Sequence, residues 1–126
     1  MEKFKLIIVD DEADLLELCT DIFEMEGHEA IGFTCPSEAL AFIESGNSYD
    51  AIVSDATMPN ISGLEFLEKI KTLPNYTEKP FILSTGRIDF DEAELNKLGV
   101  TKIIMKPFDI SAVVGDIVGL IKAYKA

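Results

Sequence analysis

Basic residues are scarce in this chain: eleven Lys and Arg stand against twenty-three Asp and Glu, a formal net charge of −12. That deficit argues against nucleic acid as a direct partner, because a phosphate backbone has to be neutralised by Lys and Arg. It favours a divalent cation or a basic protein surface instead. Cysteine is scarce too. Cys19 and Cys35 form no metal-binding motif, and two thiols in a domain of this size are not needed as a staple. They read as core or near-core thiols in a reducing compartment. No apolar run approaches the roughly 20 residues that span a bilayer, and no signal peptide precedes the first strand. The expectation is a cytoplasmic chain with no membrane association.

What remains is ordinary for a folded domain. The 126 residues are 48% hydrophobic and 27% charged, enough apolar material to bury one core and too much for a disordered segment. There is no linker, repeat or low-complexity stretch, so 1–126 reads as a single domain with no output domain attached.

The stretch that organises the chain is Ala51-Ile52-Val53-Ser54-Asp55. Small and β-branched residues end abruptly on one acid, and the chain then breaks at Pro59 and turns through Asn60 to Gly63. This predicts a short strand buried on both faces, with Asp55 at its C-terminal lip. Phe4 to Val9 predicts an earlier strand of the same kind, followed at once by Asp10-Asp11-Glu12. A helix from about Ala13 to Met25 follows, with Leu15, Leu18, Ile22 and Met25 at helical spacing and Leu16, Cys19 and Phe23 beside them. Gly27 stops it. Glu29 to Phe33 is a weaker strand that suits a sheet edge.

Pro36 opens a second helix, which Gly46-Asn47 ends. Ser62 and Glu65 have capping-box spacing for a third helix with Leu64, Leu67 and Ile70. Phe81 to Thr85 predicts a fourth strand ending at Gly86. A short acidic helix spans roughly Asp91 to Leu98 and closes at Gly99. Lys102 to Met105 is the fifth strand, running into Lys106-Pro107-Phe108. The last helix places Ile110, Val113, Val114, Ile117, Ile121 and Tyr124 on one stripe. The whole is (βα)₅, an α/β chain whose right-handed crossovers require a parallel sheet with helices on both faces. The expected strand order is 2-1-3-4-5, the flavodoxin-like doubly wound arrangement.

Parallel strands deliver their C-terminal ends to one edge. That edge would hold Asp10 and Asp11 from strand 1, Asp55 from strand 3, Thr85 from strand 4 and Lys106 from strand 5. Each has a plainer reading: Asp55 as a turn residue, Asp11 as the cap of the first helix, Thr85 as a turn hydroxyl, Lys106 as a surface charge. Together they are hard to treat as accidental. Two carboxylates about 4 Å apart repel by roughly 4 kcal/mol at an effective dielectric near 20, so three ionised acids need a cation. Lys106 offers one charge, and Mg²⁺, which takes carboxylates, waters and phosphate oxygens, would supply two.

The pair Asp10-Asp11, Asp55 with Met58-Pro59 and Gly63, Thr85-Gly86, and Lys106-Pro107-Phe108 resembles the receiver domain of two-component response regulators across essentially the whole chain. The resemblance implies that a histidine kinase or phosphotransfer protein phosphorylates Asp55. It implies that Asp10, Asp11, Asp55 and the backbone carbonyl of Thr57 hold Mg²⁺. Thr85 and Lys106 would contact phosphoryl oxygens, and the bond matching Lys106-Pro107 is often cis in that family, which would aim the lysine inward. Output would pass to a downstream protein, through the face of helix 4, strand 5 and helix 5. Such a chain is a regulator that takes part only in its own phosphorylation and slow dephosphorylation, not an enzyme in the usual sense.

The sequence departs from that pattern at Ile103, where receivers commonly carry Tyr or Phe. Arg87, two residues past Thr85, stands beside the expected water path and should affect the lifetime of the phosphorylated form. The acids Asp89, Asp91, Glu92 and Glu94 read either as a solvated face or as a surface for a basic partner. Gly115 and Gly119 weaken the last helix, and Val118 and Leu120 either widen its buried face or dock a partner. Three other classes stay open: a haloacid dehalogenase-type phosphatase, a flavin or nucleotide carrier, and a protein-binding module independent of phosphorylation. The first expects Asp where this chain has Thr57, and the second expects a first loop without Asp10-Asp11-Glu12. A receiver excised from a longer regulator is open as well.

Overall fold

The computed structural model describes residues 3–58, 61–86, 91–106 and 110–125, without the side chains of Ile110 and Lys125. Five strands, β1 (Lys5–Val9), β2 (Glu29–Phe33), β3 (Ala51–Asp55), β4 (Phe81–Thr85) and β5 (Lys102–Met105), alternate with five helices. These are α1 (Ala13–Met25), α2 (Pro36–Glu44), α3 (Gly63–Lys71), α4 (Glu92–Leu98) and α5 (Ile110–Lys125). All strand pairs are parallel, in the order β2-β1-β3-β4-β5. The doubly wound expectation holds, and the weak β2 does lie at an edge.

The two faces of the sheet have separate cores, because alternate residues of each strand point to opposite sides. Leu6, Ile8, Ala51, Ile82 and Ile104 pack under α1 and α5. Ile7, Val9, Ile52, Phe81 and Leu83 pack under α2, α3 and α4. Near-continuous apolar strands are what two covered faces require.

Local signals account for most boundaries. Ser62 caps α3 in a complete capping box: its hydroxyl accepts from the Glu65 amide, and the Glu65 carboxylate accepts from the Ser62 amide. Asp91 caps α4 by accepting from the Ala93 and Glu94 amides. Gly99 ends α4 at φ +111°, a left-handed conformation that side chains resist.

Three expectations need correction. The buried stripe of α1 is Leu16, Cys19 and Phe23, with Leu15 and Ile22 only partly buried; Leu18 is 50% exposed and Met25 82% exposed. A helix laid on a sheet and packed beside α5 buries a narrower stripe than its apolar residues would allow. Asp11 does not cap α1: the N-cap is Glu12, which makes no side-chain capping bond. Tyr124 lies outside the buried stripe of α5, 43% exposed, with its hydroxyl donating to Glu78 Oε1 at 3.2 Å. A polar tip on the last turn is satisfied there at no burial cost. Val118 and Leu120 are partly buried against the core and do widen its face.

Candidate phosphoacceptor and metal site

Register brings the acids together. Val9 pairs with Ser54, so the residues that follow them, Asp10 and Asp55, leave the sheet side by side. Both carboxylates are buried, with Asp10 6% and Asp55 8% exposed, whereas Asp11 faces solvent. One oxygen from each of Asp10, Asp11 and Asp55 lies within 4.8 Å of the others. Three hard oxygen donors at that spacing suit a small divalent cation such as Mg²⁺.

Lys106 follows β5, two strands away from β3, and its long side chain reaches back across β4. Its ammonium lies 3.3 Å from Asp55 Oδ1 and 3.7 Å from Asp10 Oδ2. The backbone fixes the strand end, since the Lys106 amide donates to the Thr85 carbonyl at 2.8 Å. Thr85 is buried at the end of β4, one residue beyond Ser84, which pairs with Asp55. Thr57 is exposed, and its amide donates to Asp55 Oδ1 over 3.4 Å. Pro107 and Arg87 lie outside the described residues, so the cis bond and the Arg87 expectation lie there too.

Charge at this edge is finely opposed. Burial raises the Asp55 carboxyl above its ordinary value and Asp10 adds to that, while Lys106 and the Thr57 amide pull the other way. Asp10 is raised as well, by burial first, against the Glu12 amide that donates to its Oδ1 at 2.9 Å and against Lys106. Burial alone would lower the Lys106 ammonium, but Asp10 and Asp55 outweigh it and leave it raised. The site therefore contains acids that resist ionising beside a lysine held firmly protonated.

Some contributors carried a weaker sequence signal. Ser54 is fully buried and donates to the Asp55 carbonyl at 3.0 Å, and Ser84 is buried beside it. A serine in an otherwise apolar strand is the trace each leaves. Gly63 matters for closeness: a Cβ there would stand 2.6 Å from the Asp55 carbonyl oxygen, so α3 can begin against β3 only with glycine. Its amide donates to the Ala56 carbonyl at 2.9 Å, locking that approach. Of the cysteines, Cys19 is buried, its thiol pushed up to about 11 by burial and then by Asp10; Cys35 is half-buried at the start of α2.

Residues 6–117 match the family model of the response regulator receiver domain. The chain belongs to that family. Among curated relatives of this receiver domain is the response regulator SaeR of Staphylococcus epidermidis, 36% identical over 104 residues, which are 82% of this chain and 44% of that protein. SaeR of Staphylococcus aureus is 32% identical over the same shares. The chain thus spans a little under half the length of the curated relatives it matches. A receiver domain from Clostridium thermocellum superposes with a TM-score of 0.82 at 30% identity, covering 97% of both chains. A CheY-like receiver from Methanospirillum hungatei gives 0.85 at 25% identity, covering 98% of both. The match favours a receiver of two-component signalling over the dehalogenase and flavin-carrier alternatives. Among the described residues, no helix is long and apolar enough to cross a membrane.

Proposed function

We propose that this receiver is a phosphorylated switch in which Asp55 accepts a phosphoryl group from a histidine kinase or phosphotransfer protein. The observation that carries the reading is the Lys106 ammonium 3.3 Å from Asp55 Oδ1, beside a three-acid cluster at one sheet edge. An Asp55 oxygen attacks phosphorus as the bond to the donor nitrogen breaks. Lys106 stabilises the charge on the phosphoryl oxygens and helps hold the donor in line. Asp10, Asp11, Asp55 and the Thr57 carbonyl would hold Mg²⁺. When bound, that ion would add positive charge where the phosphoryl oxygens gather.

Thr85, at the end of a fully buried strand, is placed to follow the new negative charge. The change would be read by a downstream protein at the face made by α4, β5 and α5, where Leu98 and Met105 are exposed. Water later removes the phosphoryl group, so turnover is confined to the receiver's own modification. The test is intact mass after incubation with acetyl phosphate and Mg²⁺, beside an Asp55→Asn control. Gain of one phosphoryl group by the wild type alone is the expected result; gain by both would move the acceptor elsewhere.

A further inference from the structure

A cavity of about 260 Å³ opens at the opposite edge of the sheet, between the loop after α2 and the loop after α3. It is remote from the acid cluster in the topology, because parallel strands that end at Asp10 and Asp55 begin at this other edge. Its lining includes Asn47, Ser48, Tyr49, Asn75, Thr77 and Lys79, and none of its lining residues is acidic.

Two of the neighbouring acids have hydrogen-bond partners of their own. Asp50 Oδ2 accepts from the Lys5 amide at 2.8 Å, and Glu78 Oε1 accepts from the Tyr124 hydroxyl. The carboxamides are fixed: Asn47 Nδ2 donates to the Phe42 carbonyl at 2.8 Å, and Asn75 Nδ2 to the Ile43 carbonyl at 2.9 Å. Each therefore has its oxygen left to accept from a guest.

Tyr49 supplies the second observation. It is only 8% exposed, yet its hydroxyl has no hydrogen-bond partner among the described residues. No fully enclosed side-chain polar atom among them is left unsatisfied, so this hydroxyl keeps some accessible surface, and the cavity is the space that Tyr49 lines. A mostly buried phenol whose hydroxyl keeps accessible surface beside a cavity can donate to a guest there. It also stays a donor, since burial and then Tyr76 push it up to about 12.

We propose that this cavity binds a small hydroxylated anion, a carboxylate or phosphate ester of fragment size. The Lys79 ammonium and the Tyr49, Ser48 and Thr77 hydroxyls would receive the anionic group. The free carboxamide oxygens of Asn47 and Asn75 would accept from its hydroxyls. A space this size suits about ten heavy atoms, and an affinity of about 1 mM is expected.

The test is a titration followed by amide chemical shifts in Mg²⁺-free buffer. The probes are glycerol 3-phosphate, glycerate, inorganic phosphate and glycerol. The expected result is saturable shifts of Tyr49, Asn75 and Lys79 with the two hydroxylated anions, weaker shifts with phosphate and none with glycerol. Tyr49→Phe keeps the ring in the core and should weaken binding about 5-fold, and Lys79→Gln about 10-fold. Asp55→Asn should leave the affinity unchanged, which separates this cavity from the phosphorylation site. No saturable shift at these residues with either hydroxylated anion to about 20 mM overturns the proposal. So does affinity that is indifferent to both cavity substitutions.

Discussion

Replacing Asp55 with Asn should stabilise the receiver when no divalent cation is present. At no more than 4.8 Å and an effective dielectric near 20, the Asp10 and Asp55 carboxylates repel by at least about 3.5 kcal/mol. The Lys106 ammonium, 3.3 Å from Asp55, returns about 5 kcal/mol at the same dielectric. Solvent-exposed Asp11 adds roughly 1 kcal/mol of further repulsion, so the charge terms almost cancel. What remains is desolvation of a carboxylate only 8% exposed, which a neutral amide largely avoids. The raised Asp55 carboxyl has the same sign, since it means that the folded site disfavours the ion. The Asp55→Asn variant should therefore gain about 1–2 kcal/mol, or about 5 °C in Tm for a domain of this length. Mg²⁺ reverses the order. At a concentration about 100 times its Kd it would stabilise the wild type by about 2.7 kcal/mol, whereas the variant keeps two of the three carboxylates and responds less. Thermal melts in chelator and across a MgCl₂ titration measure both effects. A variant that melts lower in chelator and responds normally to Mg²⁺ would show that Asp55 is structural and refute the reasoning.

Protonation should mimic that substitution. Above the ordinary Asp value of 3.8 and up to the raised folded values, the folded chain holds protons that the unfolded chain releases, so this contribution to stability falls as pH rises. Urea melts in chelator should show the advantage of Asp55→Asn shrinking as pH falls through that window, and a growing advantage contradicts the assignment. Lys106→Met leaves two buried carboxylates without their cation. It should cost about 2 kcal/mol in chelator and slow phosphorylation by acetyl phosphate about 100-fold, with intact mass over time as the readout. Gly63→Ala drives a Cβ against the Asp55 carbonyl oxygen and Leu83, each 2.6 Å away, and should cost about 2 kcal/mol by urea denaturation. An unchanged midpoint would mean that α3 can move away without cost. Ser62→Ala opens the capping box of α3 and should cost about 1 kcal/mol in the same assay.

The fold was legible because its signals are local and repeated. Each strand is a short apolar run, and turn residues such as Gly27, Gly46 and Gly99 stand between elements with φ near +90° to +110°. The site was legible for a related reason: in a parallel sheet, whatever follows each strand reaches one edge. Helix faces were harder. Leu15, Leu18, Ile22 and Met25 have the spacing of a buried stripe, but α1 turns Leu16, Cys19 and Phe23 inward. Two apolar stripes about 100° apart compete on such a helix, and only the position of α5 and the sheet decides between them. The N-cap of α1 also escaped, because Asp11 carries the side chain that caps favour, whereas the backbone places the extended boundary residue at Glu12.

Ile103 poses the last mechanical question. It is half-buried, packed against the core that lies under α2, α3 and α4, and pairs with Leu83. An aliphatic chain in that place offers no large ring to swing between buried and exposed positions. Movement of Thr85 would have to be passed on by the backbone. Thr85 pairs with Met105, and its carbonyl accepts from the Lys106 amide, so the ends of β4 and β5 are coupled directly. The α4 end has its own tie, since the Lys71 ammonium of α3 donates to the Leu98 carbonyl. A shift at Thr85 would then move the end of β5 before it moved α4. The exposed Met105 side chain, beside Lys106, is the first surface that such a shift would reach.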